Sequence, residues 1–271
     1  MKFDSNLAWK QASSAIAANR ELLLALAGVF YLLPALAVSL LFPQPEMPTD
    51  PSPEEAMALM GSYYGDIMPF VIPMLLFQAA GTLALLTLLT DKSRPTVGEA
   101  IKLGLKGLLP YFLAQIMLAI GVGLIGGLIF GVGTASGNAG VAAISLIAVG
   151  ALVIYAMIKT SLVAPAIVVE GEGNPVAALR RSWLLTKGNS LRLAVFYALV
   201  LIAFLVVILI ASAIIGSIAS LVAGAETGEV ILVVISSILN AIMALYFVAI
   251  IAAAHRQLAG PPASAQADVF D

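Results

Sequence analysis

Few side chains in this sequence could carry acid–base or metal chemistry. The 271 residues include one histidine, His255, and no cysteine. A single histidine leaves little room for a catalytic triad or a histidine-based metal centre within one chain, and the lack of cysteine excludes thiolate ligands and disulfides. His255 and Arg256 follow an apolar run, a position typical of an interfacial anchor. We therefore expect no enzymatic activity, no catalytic residue, no bound metal and no cofactor.

Three glycines, Gly121, Gly123 and Gly126, match the spacing of the dinucleotide-binding fingerprint. That motif needs a preceding strand, a helix that begins at the glycines and an acidic residue about 20 positions later. Here the glycines lie inside an apolar run, and no acidic residue follows for more than forty positions. Small residues spaced by four are instead typical of close packing between membrane helices. Two such series occur: Gly123, Gly127 and Gly131, and Ser212, Gly216 and Ser220. They predict contact between the third and fifth apolar runs, within or between chains.

Polar residues are scarce inside the apolar runs. Ser236 and Asn240 lie one helical turn apart and form the most polar interior pair. An ionisable group at this depth would mark an ion path or intramembrane catalysis, but no run carries one near its centre. We expect Asn240 to make an interhelical hydrogen bond, with a substrate groove as the alternative. Lys159 ends the fourth run, and we expect it to snorkel to the membrane surface. The alternatives are an ion pair with Glu170 or Glu172 and contact with a lipid phosphate.

Membrane-spanning helices must position these residues. Apolar residues make up 61% of the chain and charged residues 10%, against about 45–50% and about 25% in soluble domains. A span needs about 20 apolar residues, and six runs reach or approach that length: 22–42, 67–90, 108–133, 141–158, 193–222 and 230–254. We therefore predict an all-α polytopic membrane protein with six transmembrane helices. The fifth run is long for one crossing, so it should tilt or break near Gly216.

All thirteen basic residues fall on one side of this layout. The opposite loops, 43–66, 134–140 and 223–229, contain no lysine or arginine. By the positive-inside rule, both termini are expected in the cytoplasm. The alternative for the first run is a signal peptide cleaved near 35–37, which would place the mature N-terminus outside.

Amphipathic segments precede the outward spans. Asn174 and Pro175 form a helix start, Gly188 can end that helix, and basic residues lie away from the apolar stripe of Val176 and Trp183. Such a helix lies flat on a membrane surface. Corresponding segments occur earlier, and we predict cytoplasmic surface helices at about 5–18, 96–107 and 175–188. The shared layout favours three helical-hairpin repeats in one domain, 1–258, followed by a disordered tail, 259–271.

The basic residues of these segments form a collar at the membrane surface. We expect contacts with anionic lipid headgroups on the cytoplasmic side, each contributing on the order of 1 kcal/mol. The collar residues are Lys102, Lys106, Arg180, Arg181, Lys187 and Arg192. The alternative is that these charges only set the topology. Membrane lipids are thus the expected partners, with a protein partner or a second copy as further ones and no nucleic acid.

The segment 174–192 also resembles a known family. The matching residues are Pro175, Ala178, Arg180, Ser182, Trp183, Leu185, Thr186, Gly188, Asn189 and Arg192. They resemble the membrane domain found beside some bacterial glycerophosphoryl diester phosphodiesterases, and related stand-alone integral membrane proteins. The six-span layout is similar over about 1–258. In fused members, catalysis belongs to a separate soluble barrel with histidines and acidic metal ligands. The resemblance implies the membrane module without that barrel, and it carries over no catalytic residue.

These observations predict a non-enzymatic protein of the bacterial inner membrane. It would bind or organise lipids, or scaffold a membrane partner. The alternative is a transporter or exporter of an amphipathic solute such as a lipid or peptide, which requires a groove or cavity reaching the middle of the bilayer.

Overall fold

The computed structural model describes residues 2–43, 45, 48–91 and 95–260, and within them every regular element is a helix. A π-helical turn, Gly28–Leu32, joins the second and third of these helices. In chain order the helices are α1 (Ser5–Ala18), α2 (Arg20–Ala27), α3 (Leu33–Leu41), α4 (Pro53–Thr90), α5 (Val97–Ala135), α6 (Ala139–Thr160), α7 (Val163–Val168), α8 (Pro175–Thr186), α9 (Ser190–Ala223) and α10 (Ala225–Ala259). The tail predicted over 259–271 lies outside the described residues from 261 onwards.

Six helical stretches of the described chain are long and apolar enough to cross a membrane. They are Arg20–Leu41, Pro53–Thr90, Val97–Ala135, Ala139–Val168, Ser190–Val222 and Thr227–Ala259. The prediction of an all-α polytopic membrane protein with six spans is therefore confirmed. The first span includes the π-helical turn, and the fourth includes both α6 and α7.

The fifth span does not break near Gly216. The helix α9 runs without interruption over 34 residues, or about 50 Å at 1.5 Å per residue. Gly224, with φ of +84°, is all that separates α9 from α10. A helix this much longer than the roughly 30 Å of hydrocarbon must tilt or project beyond it. The predicted loop over 223–229 is thus reduced to a one-residue turn.

Two of the three predicted surface helices are separate elements. They are α1 and α8, which match the predictions for 5–18 and 175–188 to within two residues. The segment 96–107 is instead the first part of α5, which continues through Pro110 to Ala135. Because no residue between them ends the helix, the surface segment and the third span form one rod.

Helix α10 is the hub of the bundle. It packs against α9, α1, α2, α4 and the π-helical turn. Its last turns are built from alanines that are at most 1% exposed, including Ala252, Ala253 and Ala254. Small side chains let the neighbouring backbones approach closely. The best-packed core therefore lies at the end of the bundle where α10 finishes, which we call the basic end because Lys102, Arg180, Lys187 and Arg192 lie there.

Close glycine contacts occur on a different face of α5 from the one predicted. A Cβ atom placed on Gly123, Gly127 or Gly131 would meet nothing within 4 Å. By contrast, a Cβ on Gly126 would lie 3.4 Å from Val149 of α6, and Gly133 packs against α6 as well. The connection between α5 and α6 is only residues 136–138. This short turn selects the glycine face that meets the adjacent helix.

The fifth span packs against the sixth instead of the third. A Cβ on Gly216 would lie 3.2 Å from Leu232, and Ser220 lies against Gly228, so both positions face α10. The Ser212 hydroxyl is buried without a hydrogen-bond partner in the described chain. Because the one-residue turn holds α9 beside α10, the predicted contact between the third and fifth spans is wrong within one chain. Contact between chains stays a prediction.

Packing of α5 on α4 provides a test of this architecture. A Cβ on Gly104 would lie 2.8 Å from the backbone nitrogen of Ala84, so the Gly104→Ala variant forces the helices apart and should lose about 1–3 kcal/mol of unfolding free energy. Gly127→Ala is the matched control, since its Cβ meets open space and alanine favours the helix by up to about 1 kcal/mol. Thermal unfolding in one detergent measures both. Equal shifts in the two variants would contradict this packing.

Candidate functional site

The junction between α6 and α7 is closed by a side chain from α8. The Ser182 hydroxyl donates to the carbonyl oxygen of Lys159 at 2.8 Å and accepts from the backbone N–H of Leu162 at 3.1 Å. Ser182 is completely buried. A helix end within a membrane protein needs such partners, because buried backbone groups have no water to bond. Ser182 therefore fixes α8 against the junction of α6 and α7.

The apolar stripe of α8 faces outward. Val176 is 54% exposed and Trp183 is 44% exposed, whereas Ala178, Ser182 and Thr186 are buried against the protein. Asn174 caps the helix by accepting from the backbone N–H groups of Val176 and Ala177, as the sequence predicts. The helix thus presents its large apolar residues to the surroundings of the bundle and its small residues to the core. This orientation suits a helix that lies on a membrane surface.

An ionic cluster joins the α7–α8 loop, α8 and α10. Arg181 donates from Nε to Glu170 Oε2 at 2.6 Å and from Nη2 to Glu170 Oε1 at 3.0 Å. His255 Nε2 lies 2.8 Å from the same Oε1. His255 is only 4% exposed, so it is buried rather than the interfacial anchor that we predicted. The sequence offered no local signal for this cluster, since Glu170 and His255 are 85 residues apart.

Glu170 is held in its charged form. Partial burial opposes its charge, but hydrogen bonds from Arg181 and His255 outweigh that effect and hold its pKa below the usual glutamate value. The hydrogen bond to Glu170 in turn raises the pKa of Arg181. The two side chains are 25% and 38% exposed, so water screens part of their attraction. The charge of Arg181 is neutralised within the protein.

The rest of the predicted collar is exposed. Lys102, Lys106, Arg180, Lys187 and Arg192 all have exposed side chains at the basic end. In the part of the chain that the structure describes, ion pairs form only at Glu170, so none of these five is in one. Headgroup contact stays a prediction for all six collar residues, but only Arg181 has its charge already balanced. Lys159, which is not one of these six, is buried between Tyr155 and Trp183.

A cavity of about 610 Å³ lies among α4, α5, α6, α7, α9 and α10. Its wall is mainly apolar, with hydroxyl and amide groups from Thr82, Tyr111, Gln115, Thr160, Ser161 and Tyr197. It extends from the end of α6 to Leu118, about halfway along α5. This volume is within the range of small-molecule sites, roughly 300–1,000 Å³. No charged side chain lines it among the described residues.

A second pocket, of about 600 Å³, lies at the basic end. It is bounded by the end of α4, the first turns of α5 and the α7–α8 loop. Its charged residues are Asp91, Lys106 and Glu172. Glu172 also accepts from the backbone N–H of Asn174 at 3.0 Å and so helps to order the start of α8.

Ser236 and Asn240 lie away from both pockets. Asn240 donates from Nδ2 to the carbonyl oxygen of Ser236 at 2.8 Å, and Ser236 donates to that of Val233 at 3.1 Å. Both bonds stay within α10, so the predicted interhelical bond of Asn240 is wrong within this chain. A polar side chain that has no polar neighbour on another helix can donate its hydrogen bond to a backbone carbonyl of its own helix.

The sequence of this chain matches the model of one protein family. The family model that matches covers residues 8–258, from within α1 to the end of the sixth span. This chain belongs to that family. Its description is "Domain of unknown function (DUF7847)". No curated protein and no solved structure matches the chain. The resemblance to the phosphodiesterase membrane domain therefore stays a prediction.

The Ser182 bridge gives a sharp test of how the site is held. The Ser182→Ala variant removes the hydroxyl that bonds the carbonyl oxygen of Lys159 and the N–H of Leu162. Each backbone group left without this bond should lower the free energy of unfolding by about 1–3 kcal/mol. Ser236→Ala is the control, because its hydroxyl bonds only a carbonyl of its own helix. Unfolding in detergent should show a large loss for the first variant and a change within about 0.5 kcal/mol for the second. A loss confined to Ser236→Ala would refute the bridge.

The ionic cluster predicts a pH dependence. The pKa of Glu170 is lower in the folded protein than in the unfolded chain, so its charge stabilises the fold above the unfolded pKa, and this contribution is lost as pH falls through the folded pKa. Glu170→Gln should therefore lower the melting temperature at pH 7. The gap from the wild type should shrink below about pH 4.3, the usual glutamate pKa. Melting curves across this range measure the gap, and a gap independent of pH contradicts the ionic interpretation.

Proposed function

We propose that this protein binds and organises lipids in the bacterial inner membrane and catalyses no reaction. Its basic end faces the cytoplasm, as do both termini. The cavity holds the apolar part of a lipid, and the collar contacts anionic headgroups. The observation that carries this proposal is the half-open cavity of about 610 Å³ among the spans.

The lining of the cavity favours an apolar guest. Aliphatic side chains, including three alanines, together with Phe247 form most of its wall. Hydroxyl and amide groups such as those of Ser161, Tyr197 and Gln115 can bond an ester or a hydroxyl but carry no charge. Bilayer lipid is the most abundant molecule at this depth. An acyl chain with its ester region therefore fits the cavity by chemistry and by location.

One cation, Lys159, lies beside the cavity at the end of α6. Ile158, Thr160 and Ser161 line the cavity, while Lys159 lies between them in sequence and contacts α8. A lipid with its chain in the cavity thus has this cation close to its headgroup. Anionic headgroups are attracted to such a surface.

The non-enzymatic part of the proposal rests on the same lining. Intramembrane catalysis needs convergent titratable groups. In the described chain, the cavity wall contains only tyrosines in that class. We further propose that the protein is akin to the phosphodiesterase membrane domain, which the 174–192 motif resembles. A protein partner or a second copy could cover the open face at Gly123, Gly127 and Gly131, as the scaffolding form of the proposal requires.

A second candidate function is transport of an amphipathic solute. The cavity favours it, because a transporter needs a site that reaches the middle of the membrane, and this cavity extends about halfway along α5. Transport predicts faster exchange of a labelled lipid between the leaflets of reconstituted vesicles. Stable binding without such exchange favours the first function.

The cavity can be filled from one position of α9. Ala198 lines it, so the Ala198→Phe variant should displace the bound lipid. Ala203→Phe is the matched control, since Ala203 is an exposed alanine of the same helix outside the cavity lining. Native mass spectrometry of protein released from lipid nanodiscs counts the retained lipids. We expect at least one lipid fewer on Ala198→Phe than on the wild type or the control, and equal counts would refute lipid binding in the cavity.

A further inference from the structure

Lys159 is a buried cation held between two aromatic rings. The residue is 5% exposed and lies in the last turn of α6. Its Nζ atom is 5.1 Å from the ring centre of Trp183 and 5.7 Å from that of Tyr155. The two rings meet edge to face, with centres 5.5 Å apart. The ammonium group is therefore fixed in place instead of extending freely to the surface.

This lysine has no carboxylate partner in the described chain. Glu170, one of the acidic partners considered for it, is bound by Arg181 and His255. No other ion pair forms among the described residues. Aromatic faces attract a cation, but they replace only part of the water that burial removes. No carboxylate of the described residues therefore balances the charge of Lys159.

Lys187 is a second cation beside it. It directly follows α8, its side chain is exposed, and it comes four residues, about one helical turn, after Trp183, whose ring contacts the Lys159 ammonium. The turn that carries it is well fixed, because Gly188 adopts φ of +79° and Asn189 accepts a hydrogen bond from the backbone N–H of Phe3 at 2.9 Å. Two like charges held near each other repel unless an anion lies close to both.

The aromatic residues indicate the direction from which an anion arrives. Trp183 and Tyr155 are 44% and 46% exposed, although each has one face on the Lys159 ammonium. Tryptophan and tyrosine at such boundaries contact the glycerol and headgroup region of the bilayer. An anion that reaches Lys159 past these rings therefore comes with an apolar tail.

We propose that Lys159 and Lys187 together bind one phosphate group, that of a phospholipid whose glycerol region packs on Trp183. This inference rests on the proposed lipid-binding function and names the headgroup chemistry that the protein selects. A single phosphate between two cations favours a lipid with net negative charge over one whose phosphate is balanced by an ammonium group. Phosphatidylglycerol should be retained in preference to phosphatidylethanolamine.

The experiment uses the full chain in nanodiscs of equal phosphatidylglycerol and phosphatidylethanolamine, followed by native mass spectrometry. Lys159→Gln and Lys187→Gln should each lower the ratio of retained phosphatidylglycerol to phosphatidylethanolamine about fivefold. Lys159→Arg keeps the charge and should keep most of the preference. Lys10→Gln is the control, because it removes an exposed cation of α1 with the same change in net charge.

A second arm measures melting in lipid-free detergent with added inorganic phosphate. Stabilisation of the wild type but not of Lys159→Gln supports the site and shows that it also takes free phosphate. An unchanged lipid ratio in both glutamine variants, or the same loss in Lys10→Gln, overturns the site. Because Lys187 is exposed, its variant should fold even if burial makes Lys159→Gln unstable. A wild type that retains no phospholipid at all refutes the proposed function as well, whereas retention that is equal in the variants refutes only this site.

Discussion

The structure depends on hydrogen bonds to the backbone at the junction of α6 and α7, within the fourth span. Between α6 and α7 the chain leaves helical geometry while still buried, and Ser182 supplies both a donor and an acceptor there. In an apolar environment, an unpaired backbone group at this point would cost several kcal/mol. These two hydrogen bonds hold α8 against the junction of α6 and α7. In this position α8 places Arg181 beside Glu170 and Trp183 beside Lys159. One hydroxyl therefore supports the contacts that α8 makes with Glu170 and Lys159.

The basic end and the opposite end of the bundle are built differently. Near the basic end, alanines of α10 and leucines such as Leu83, Leu162 and Leu193 are almost fully buried. Towards the other end, α9 and the α5–α6 hairpin keep large apolar residues exposed, including Leu128, Ile147 and Leu209. Lipid must solvate those surfaces, since a soluble protein would not expose so many. The cavity lies where the α5–α6 hairpin diverges from α9 and α10, so it arises from this change in packing.

The sequence predicted the structure best for features that depend on one continuous stretch of residues. Run length and missing charge predicted the six spans, and Asn174 with Pro175 predicted the start of α8. It predicted least well the contacts between segments that are distant in the sequence. The series spaced by four, Gly123, Gly127 and Gly131, faces open space, whereas Gly126 and Gly133, seven positions apart, contact α6. The three-residue turn to α6 determines which of these two faces meets that helix. The bond between Glu170 and His255 and the lining of the cavity join distant segments, and no local pattern encodes them.

The first residues of the chain are fastened to its last helix. Asp4 and Gln257 exchange two hydrogen bonds, and α1 buries Ala8 and Ala12 largely against α10. During synthesis, α1 is made before all six spans, and α10 contains the sixth. The contact between α1 and α10 can consequently form only after the other five spans have been made. Folding of this bundle is thus completed by a late contact between two helices that are far apart in sequence.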